Sequence, residues 1–265
     1  MIQPSVKPYE RALYGALSGD LNSVLPVCET WEDQLWAHIN HQFESRIDYC
    51  LEGSSSGSFY RSKSASPPTK PKDSRKELSA SFEALYQSPS STIQQEARHP
   101  LRIAQNHIIL NKIPDLLTLF VQRVHQSEQA EMDQDTLAHL YRFFAHFVLF
   151  LQSLPPDPEG NTPSIPSEAA DTILQLYISV LESKGKSDLV ALYAAHLSET
   201  TSQIDTYSQF LARQFLDSDR NTRKAALLRA REHGLDVASV AGLTVQYVVG
   251  DIINVGFLSL LLNSS

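Results

Sequence analysis

The chain has 265 residues, 42% apolar and 20% charged, with a formal net charge of −8 and a pI near 5.6. Length and composition suit a soluble globular protein of one large or two small domains with a sizeable core. The acidic balance excludes a nucleic-acid binder that relies on a global basic field, and two cysteines, Cys28 and Cys50, exclude a disulfide framework and favour a reducing compartment. No signal peptide is expected, because the N-terminus is polar and carries Pro4 and Pro8.

Glycine is scarce and apolar residues recur at helical spacing, so the elements read as helices. Tyr9, Leu13, Ala16 and Leu17 predict a short helix with one apolar stripe, ended by Gly19. Asp20 caps a second short helix that runs to Cys28. Thr30 is placed at the next N-cap and Asp33 at N3, where hydroxyl and carboxylate satisfy the free amides of the first turn. Glu32 and Asp33 also suit the positive end of that helix. Trp31, Leu35, Ile39, Phe43 and Ile47 mark its apolar stripe. Both tryptophans of the chain, Trp31 and Trp36, are expected to be buried there as structural anchors.

Residues 53–75 break the pattern. They are rich in Ser, Pro and Lys, and Arg61, Lys63, Lys70, Lys72 and Arg75 face a single acid, Asp73. Such a segment buries too little apolar surface to order itself and is expected to be a disordered loop. Ser66 and Ser88 precede prolines and are candidate phosphorylation sites, where phosphate would offset the local basic charge. A plain spacer with incidental Ser-Pro pairs is the alternative.

Helices resume near Lys76. Phe82, Leu85 and Tyr86 give one stripe, and Ile93, Leu101, Ala104, Ile108 and Ile109 a longer one, interrupted at Pro100. Pro114 opens the next helix from its first turn, and Asp133 or Asp135 begins another that ends near Leu154. Tyr141 to Leu151 is apolar nearly all round, which predicts a central, fully buried helix anchored by Phe143 and Phe147. A proline-rich loop follows, then a helix capped by Ser167 with Ile173, Leu174, Tyr177, Val180 and Leu181 inward. Short helices are expected near 188–197, 201–215, 219–233 and 236–248, with Gly234 as a stop. No fixed-length repeat is present, so the helix–turn–helix rhythm predicts an all-α, irregular α-solenoid of antiparallel helices. Its parts are a first helical part at 1–52, the loop at 53–75, a second helical part at 76–249 and an apolar tail at 250–265.

Chemistry-bearing patterns are sparse. His38 and His41 share a helix face, but no zincin pattern or closely spaced cysteine pair accompanies them, so they read as polar-face histidines. His139 and His146, with Arg142 between them, read as hydrogen-bonded core histidines. There is no Gly-x-Ser-x-Gly elbow, phosphate loop or Gly-x-Gly-x-x-Gly, so no catalytic residue, cofactor or metal is expected. Arg220, Lys224 and Arg231 recur on one face of a short helix. They are either a solvated face or an electrostatic contact with an acidic neighbour in an assembly.

Four blocks in order carry a resemblance. Tyr9-Glu10-Arg11-Ala12-Leu13 leads through Gly19-Asp20-Leu21 and Val24-Leu25-Pro26-Val27-Cys28 to Thr30-Trp31-Glu32-Asp33-Gln34-Leu35-Trp36-Ala37. The second is Leu140-Tyr141-Arg142-Phe143-Phe144-Ala145-His146-Phe147-Val148-Leu149-Phe150. The third pairs Leu192-Tyr193-Ala194-Ala195-His196-Leu197 with Tyr207-Ser208-Gln209-Phe210-Leu211. The last is Ala230-Arg231-Glu232-His233-Gly234-Leu235-Asp236-Val237-Ala238. Together they resemble the Nup84/Nup107 scaffold nucleoporins of the nuclear pore Y complex, as an internal slice of a longer protein. The resemblance implies the trunk-like part of a nuclear pore scaffold fold and a location at the pore in the nuclear envelope. It also implies other Y-complex nucleoporins as partners and a supporting role in mRNA export and protein import, with no direct nucleic-acid contact and no small-molecule substrate. Docking to a partner of the Nup133 type would fall mostly beyond residue 265. A cytosolic adaptor of a vesicle coat or signalling assembly shares this architecture and is the alternative.

Residues 250–265 depart from the family pattern and read as a truncated or misread gene end. A tail anchor is the alternative, since 237–262 is weakly polar overall, but Gln246, Gly250, Asp251 and Asn254 interrupt the apolar run and weigh against it.

Overall fold

The computed structural model describes residues 7–54, 74–126, 133–155 and 164–262. Among these residues there are thirteen α-helices, one 3-10 turn and no strand, so the fold is all-α and solenoid-like. The chain divides into two compact units, residues 1–112 and 113–265.

The first unit holds α1 (Pro8–Ser18), α2 (Leu21–Val24), a 3-10 turn (Leu25–Val27), α3 (Trp31–Ser54), α4 (Ser74–Tyr86), α5 (Ser91–Ala97) and α6 (Pro100–Ile109). The second holds α7 (Ile113–His125), α8 (Gln134–Ser153), α9 (Ser167–Ser183), α10 (Val190–Ala194), α11 (Thr200–Gln214), α12 (Arg220–Glu232) and α13 (Val237–Leu262). Within each unit the most extensively packed pairs are neighbours or next-neighbours in sequence, as α3 with α4 and α5, or α13 with α11 and α12. The helices run from 4 to 26 residues, and the short ones have little stability alone, so each is held by the stripe it buries against these neighbours.

Local signals set the helix ends. Gly19 closes α1 with φ of 67°, a left-handed conformation that suits glycine. Asp20 then accepts from Asn22 N–H and from the Ser23 hydroxyl to start α2. Thr30 and Asp33 exchange bonds at the head of α3: Asp33 N–H donates to Thr30 Oγ1 at 3.1 Å and Thr30 N–H to Asp33 Oδ2 at 3.0 Å. Asp133 caps α8, Asp219 caps α12, and Asp236 accepts from Ala238 N–H at the start of α13. Pro100 begins α6 instead of interrupting a helix, since its missing N–H costs nothing in a first turn. α9 starts at Ser167 itself, after Pro166, without a side-chain cap.

The faces differ from expectation more than the ends do. Trp31 is 3% exposed, but Trp36 is 53% exposed, which corrects its role as a buried anchor. Five residues along a helix turn the side chain by about 140°, so the two indoles cannot share one face. The row Trp31, Leu35, Ile39, Phe43 likewise drifts by about 40° at each step. Ile39 and Phe43 are accordingly exposed, and Gln34 and Ala37 take the core positions beside Trp31. In α1 the buried residues are Ala12 and Gly15, while Tyr9, Leu13 and Leu17 face outward.

α8 is amphipathic, not fully buried. Leu140, Phe144, Ala145, Val148 and Leu151 face inward, and Phe150 is exposed. Phe143 is 38% exposed and Phe147 half-buried, so neither is the anchor. That place belongs to Phe144, stacked on Phe120 of α7 with centroids 3.8 Å apart. Tyr177, Tyr193, Tyr207 and Phe210 continue this aromatic core, and the Tyr207 hydroxyl donates to the Ala226 carbonyl at 2.9 Å. Burial pushes the Tyr193 and Tyr207 phenols up to about 12.

α3 reaches Ser54 and α4 begins at Ser74; the rest of the expected 53–75 loop lies outside the described residues. α13 runs unbroken across the expected 249/250 boundary. Among the described residues no helix is long and apolar enough to cross a membrane.

Truncating Trp31 to alanine should destabilise the chain by about 3–5 kcal/mol, as for buried aromatics. Trp36→Ala should stay within about 1 kcal/mol, as exposed sites do. Urea melts of both variants measure this, and equal losses would contradict the assignment of faces.

The cap carboxylates predict an acid dependence. Asp20 is held below the usual carboxylate range by the Ser23 hydroxyl, Asp33 by Thr30 N–H, Asp133 by the Thr136 hydroxyl, Asp219 by Thr222 N–H and Asp236 by the Ser239 hydroxyl. Their stabilisation is complete above the unfolded value of about 3.9 and is lost as pH falls through the lower folded values. His38 is held below its ordinary value by burial and then by His41. It therefore adds a shallower loss below about pH 6.5, where the unfolded histidine takes up a proton. Melting temperature should fall gently below about 6.5 and steeply below about 4. A rise on acidification would contradict this.

Candidate partner-binding surface

α12 is built to present charge. Asp219 accepts from Thr222 N–H at 2.7 Å and fixes the first turn. Its buried residues are the small Ala226 and Ala230, which leave the long basic side chains on the outside. Arg220, Lys224 and Arg231 fall within about 40° of one another around the helix axis. All three are exposed, and none forms an ion pair among the described residues. Arg223 lies to one side of this stripe, its guanidinium 4.4 Å from the Phe215 ring centroid. By contrast, Arg213 of α11 is neutralised by a two-point bond to Glu182, at 2.7 and 3.1 Å.

A second charged constellation lies in the first unit and was not evident in the sequence. The Arg102 guanidinium sits 4.3 Å from the Trp31 ring centroid. It donates to Glu96 at 2.5 Å and also to Glu32. Burial alone would lower this arginine, but the bonds to Glu96 and Glu32 hold it above its ordinary value. These contacts join α3, α5 and α6, so the cluster is structural. Nothing local marks Arg102, because its partner Glu32 is 70 residues away.

The histidines take structural places. His41 Nδ1 donates to the Gly19 carbonyl at 2.6 Å, tying α3 to the end of α1, with Asn40 Nδ2 donating to the Ala16 carbonyl beside it. Among the described residues no group of three metal-ligating side chains converges. His146 Nε2 shares a 2.8 Å hydrogen bond with the Tyr193 hydroxyl, but His139 and His146 are both exposed and not core residues. They sit seven apart, two turns along the same surface, outside the face taken by Phe144 and Val148.

Ser88 is corrected as a phosphorylation site. It is 2% exposed, its hydroxyl accepts from Ser90 N–H at 3.3 Å, and its carbonyl accepts from Gln94 Nε2 at 2.7 Å. A kinase cannot reach that hydroxyl in the folded chain. Ser66 lies outside the described residues.

Comparison with known proteins adds independent information. The family described as Nuclear pore protein 84 / 107 matches residues 2–254. Nucleoporin nup107 of Schizosaccharomyces pombe is 34% identical over 255 residues, covering 94% of this chain and 29% of the relative. Nuclear pore complex protein Nup107 of Homo sapiens is 28% identical over 240 residues, 91% of this chain and 24% of the relative. Nucleoporin NUP84 of Chaetomium thermophilum is 49% identical over a 43-residue stretch, 16% of this chain and 4% of the relative. The chain thus spans less than a third of the length of these relatives.

Proposed function

The chain belongs to the nuclear pore protein 84 / 107 family, and from that premise we propose that it is a structural constituent of the nuclear pore complex. It serves as a scaffold subunit of the Y complex, at the nuclear envelope, supporting mRNA export and protein import. The observation that carries this reading is the family match across residues 2–254, which spans both compact units. The all-α build fits the role. Short helices stacked on their sequence neighbours leave outer faces free for partners, and stiffness comes from many small interfaces.

Its partners are other Y-complex nucleoporins, engaged through protein–protein contacts. The exposed stripe of Arg220, Lys224 and Arg231 is one such contact. Exposed charges add little stability singly, but complementary charge sets association rate and register. Association with the envelope runs through the complex. The family is one of structural nucleoporins, so no catalytic residue and no cofactor is proposed. The vesicle-coat reading gains no support, since the relatives found are nuclear pore proteins.

Tagging the full gene product at its own locus tests the reading. A punctate nuclear rim that coincides with a known pore marker is the expected result. Diffuse cytosol or cytoplasmic puncta apart from the envelope would contradict it.

A further inference from the structure

The basic stripe of α12 borders an apolar groove in the same unit. A pocket of about 140 Å³ opens between α11, α12 and α13, lined by Leu211, Phe215, Arg223, Leu227, Ala241 and Val245. Apolar cavities near this size, about 150 Å³, take up benzene-sized groups. Around the α12 axis Leu227 lies about 20° and Arg223 about 60° from Arg220, both on the side away from Lys224. The charged stripe therefore forms one rim of the pocket mouth.

The apolar surface does not stop at the pocket. Val245, Val249 and Ile252 recur along one face of α13, and all three are exposed. That row is about 10 Å long at 1.5 Å per residue, or two helical turns. Leu216, in the turn after α11, is 80% exposed. A linear apolar row ending in a pocket has the shape of a helix-binding groove, in which one side chain enters the pocket and its helical neighbours follow the row.

Charge selects among helices. On α12 and in the turn before it, Arg220, Arg223, Lys224, Arg229 and Arg231 outnumber the acids Asp217, Asp219 and Glu232, and Asp219 already accepts the capping bond from Thr222 N–H. We propose that the α11–α13 groove docks an amphipathic helix of another polypeptide, with a leucine- or phenylalanine-sized anchor in the pocket and acidic residues facing the α12 stripe. Acidic flanks gain from this rim, and basic flanks are repelled. The groove deepens the scaffold reading by naming the chemistry of one partner, and it rests on that reading for the expectation that partners exist.

The test selects helical peptides displayed on phage against the purified full chain. The apolar positions are fixed at helical spacing and the flanking positions are free over Asp, Glu, Lys, Arg and Ser. Recovered peptides are then measured by fluorescence anisotropy against the wild type, Ala241→Phe, which fills the pocket, and the triple variant Arg220→Glu, Lys224→Glu, Arg231→Glu. Val245→Glu, on the exposed row, replaces Ala241→Phe if circular dichroism shows that the latter does not fold. The expected peptides are net acidic. Their dissociation constants rise about tenfold or more in both variants, and binding weakens as salt is raised through the screening range near 0.1 M. Pocket-dependent peptides that are neutral or basic would overturn the proposal, as would recovery of none that responds to either variant. Binding of phosphatidylserine vesicles, or self-association, lost in these same variants while peptides bind unchanged would also overturn it. Peptide binding without a nuclear rim would remove the scaffold reading alone, and a nuclear rim without peptide binding would remove the groove alone.

Discussion

The first unit depends on one indole and the cation above it. Trp31 is the first residue of α3, and the Thr30–Asp33 exchange fixes the turn from which its side chain leaves. The ring then enters a cluster with Phe82 and Leu85 of α4, Ile93 and Ala97 of α5, and Leu110 after α6. Arg102 of α6 covers the ring and is itself held by Glu32 and Glu96. Four helices thus meet at a single side chain. Magnitudes rank the contributions. Burial of the tryptophan is worth about 3–5 kcal/mol on truncation, the cation over its face about 0.5–2 kcal/mol, and the partly exposed ion pairs about 0–1 kcal/mol each. Packing holds the unit together, and the charges orient it.

The second unit relies on aromatic pairs, and its Arg223–Phe215 contact lies apart from them on the surface of α12. Phe120 on Phe144 joins α7 to α8 and Tyr177 edge-on to Tyr193 joins α9 to α10, while Tyr207 and Phe210 sit side by side on α11, with the Tyr207 hydroxyl bonded to α12 at the Ala226 carbonyl. Because one narrow stripe of each helix supplies the adhesion, its other faces are free to vary. That freedom gives α12 its outward charge and α13 its outward apolar row. The result is a division between an inner stripe that fixes the stack and outer faces left open to solvent.

Helix ends were legible in the sequence, and helix faces were not. Asp20, Thr30 with Asp33, Asp133, Gly19 and Gly234 each act on backbone within a few residues, so the local pattern suffices to place them. A face is decided by whatever packs against it. The row from Trp31 to Phe43 looked continuous at a spacing of four, but on a straight helix it rotates off the core, and a chain of bulky residues misleads where Ala37 and Gly15 make the close contacts. Phe143 and Phe144 are indistinguishable by composition, and only the position of Phe120 separates them. At the candidate site, the basic stripe was readable because it lies on one helix. The groove beside it takes residues from three helices, and Arg102 takes its meaning from Glu32, far away in sequence; neither leaves a local trace.

The Trp31–Arg102 contact is open to direct measurement by a double-mutant cycle in urea unfolding. The cycle uses Trp31→Leu, Arg102→Met and the pair, which keep both positions apolar while removing the aromatic face and the charge. The account predicts a coupling energy of about 0.5–2 kcal/mol, favourable and largely retained at high salt because the contact is partly desolvated. Additivity of the two single losses to within about 0.3 kcal/mol would show that Trp31 and Arg102 act independently, and would contradict the central place given to their contact.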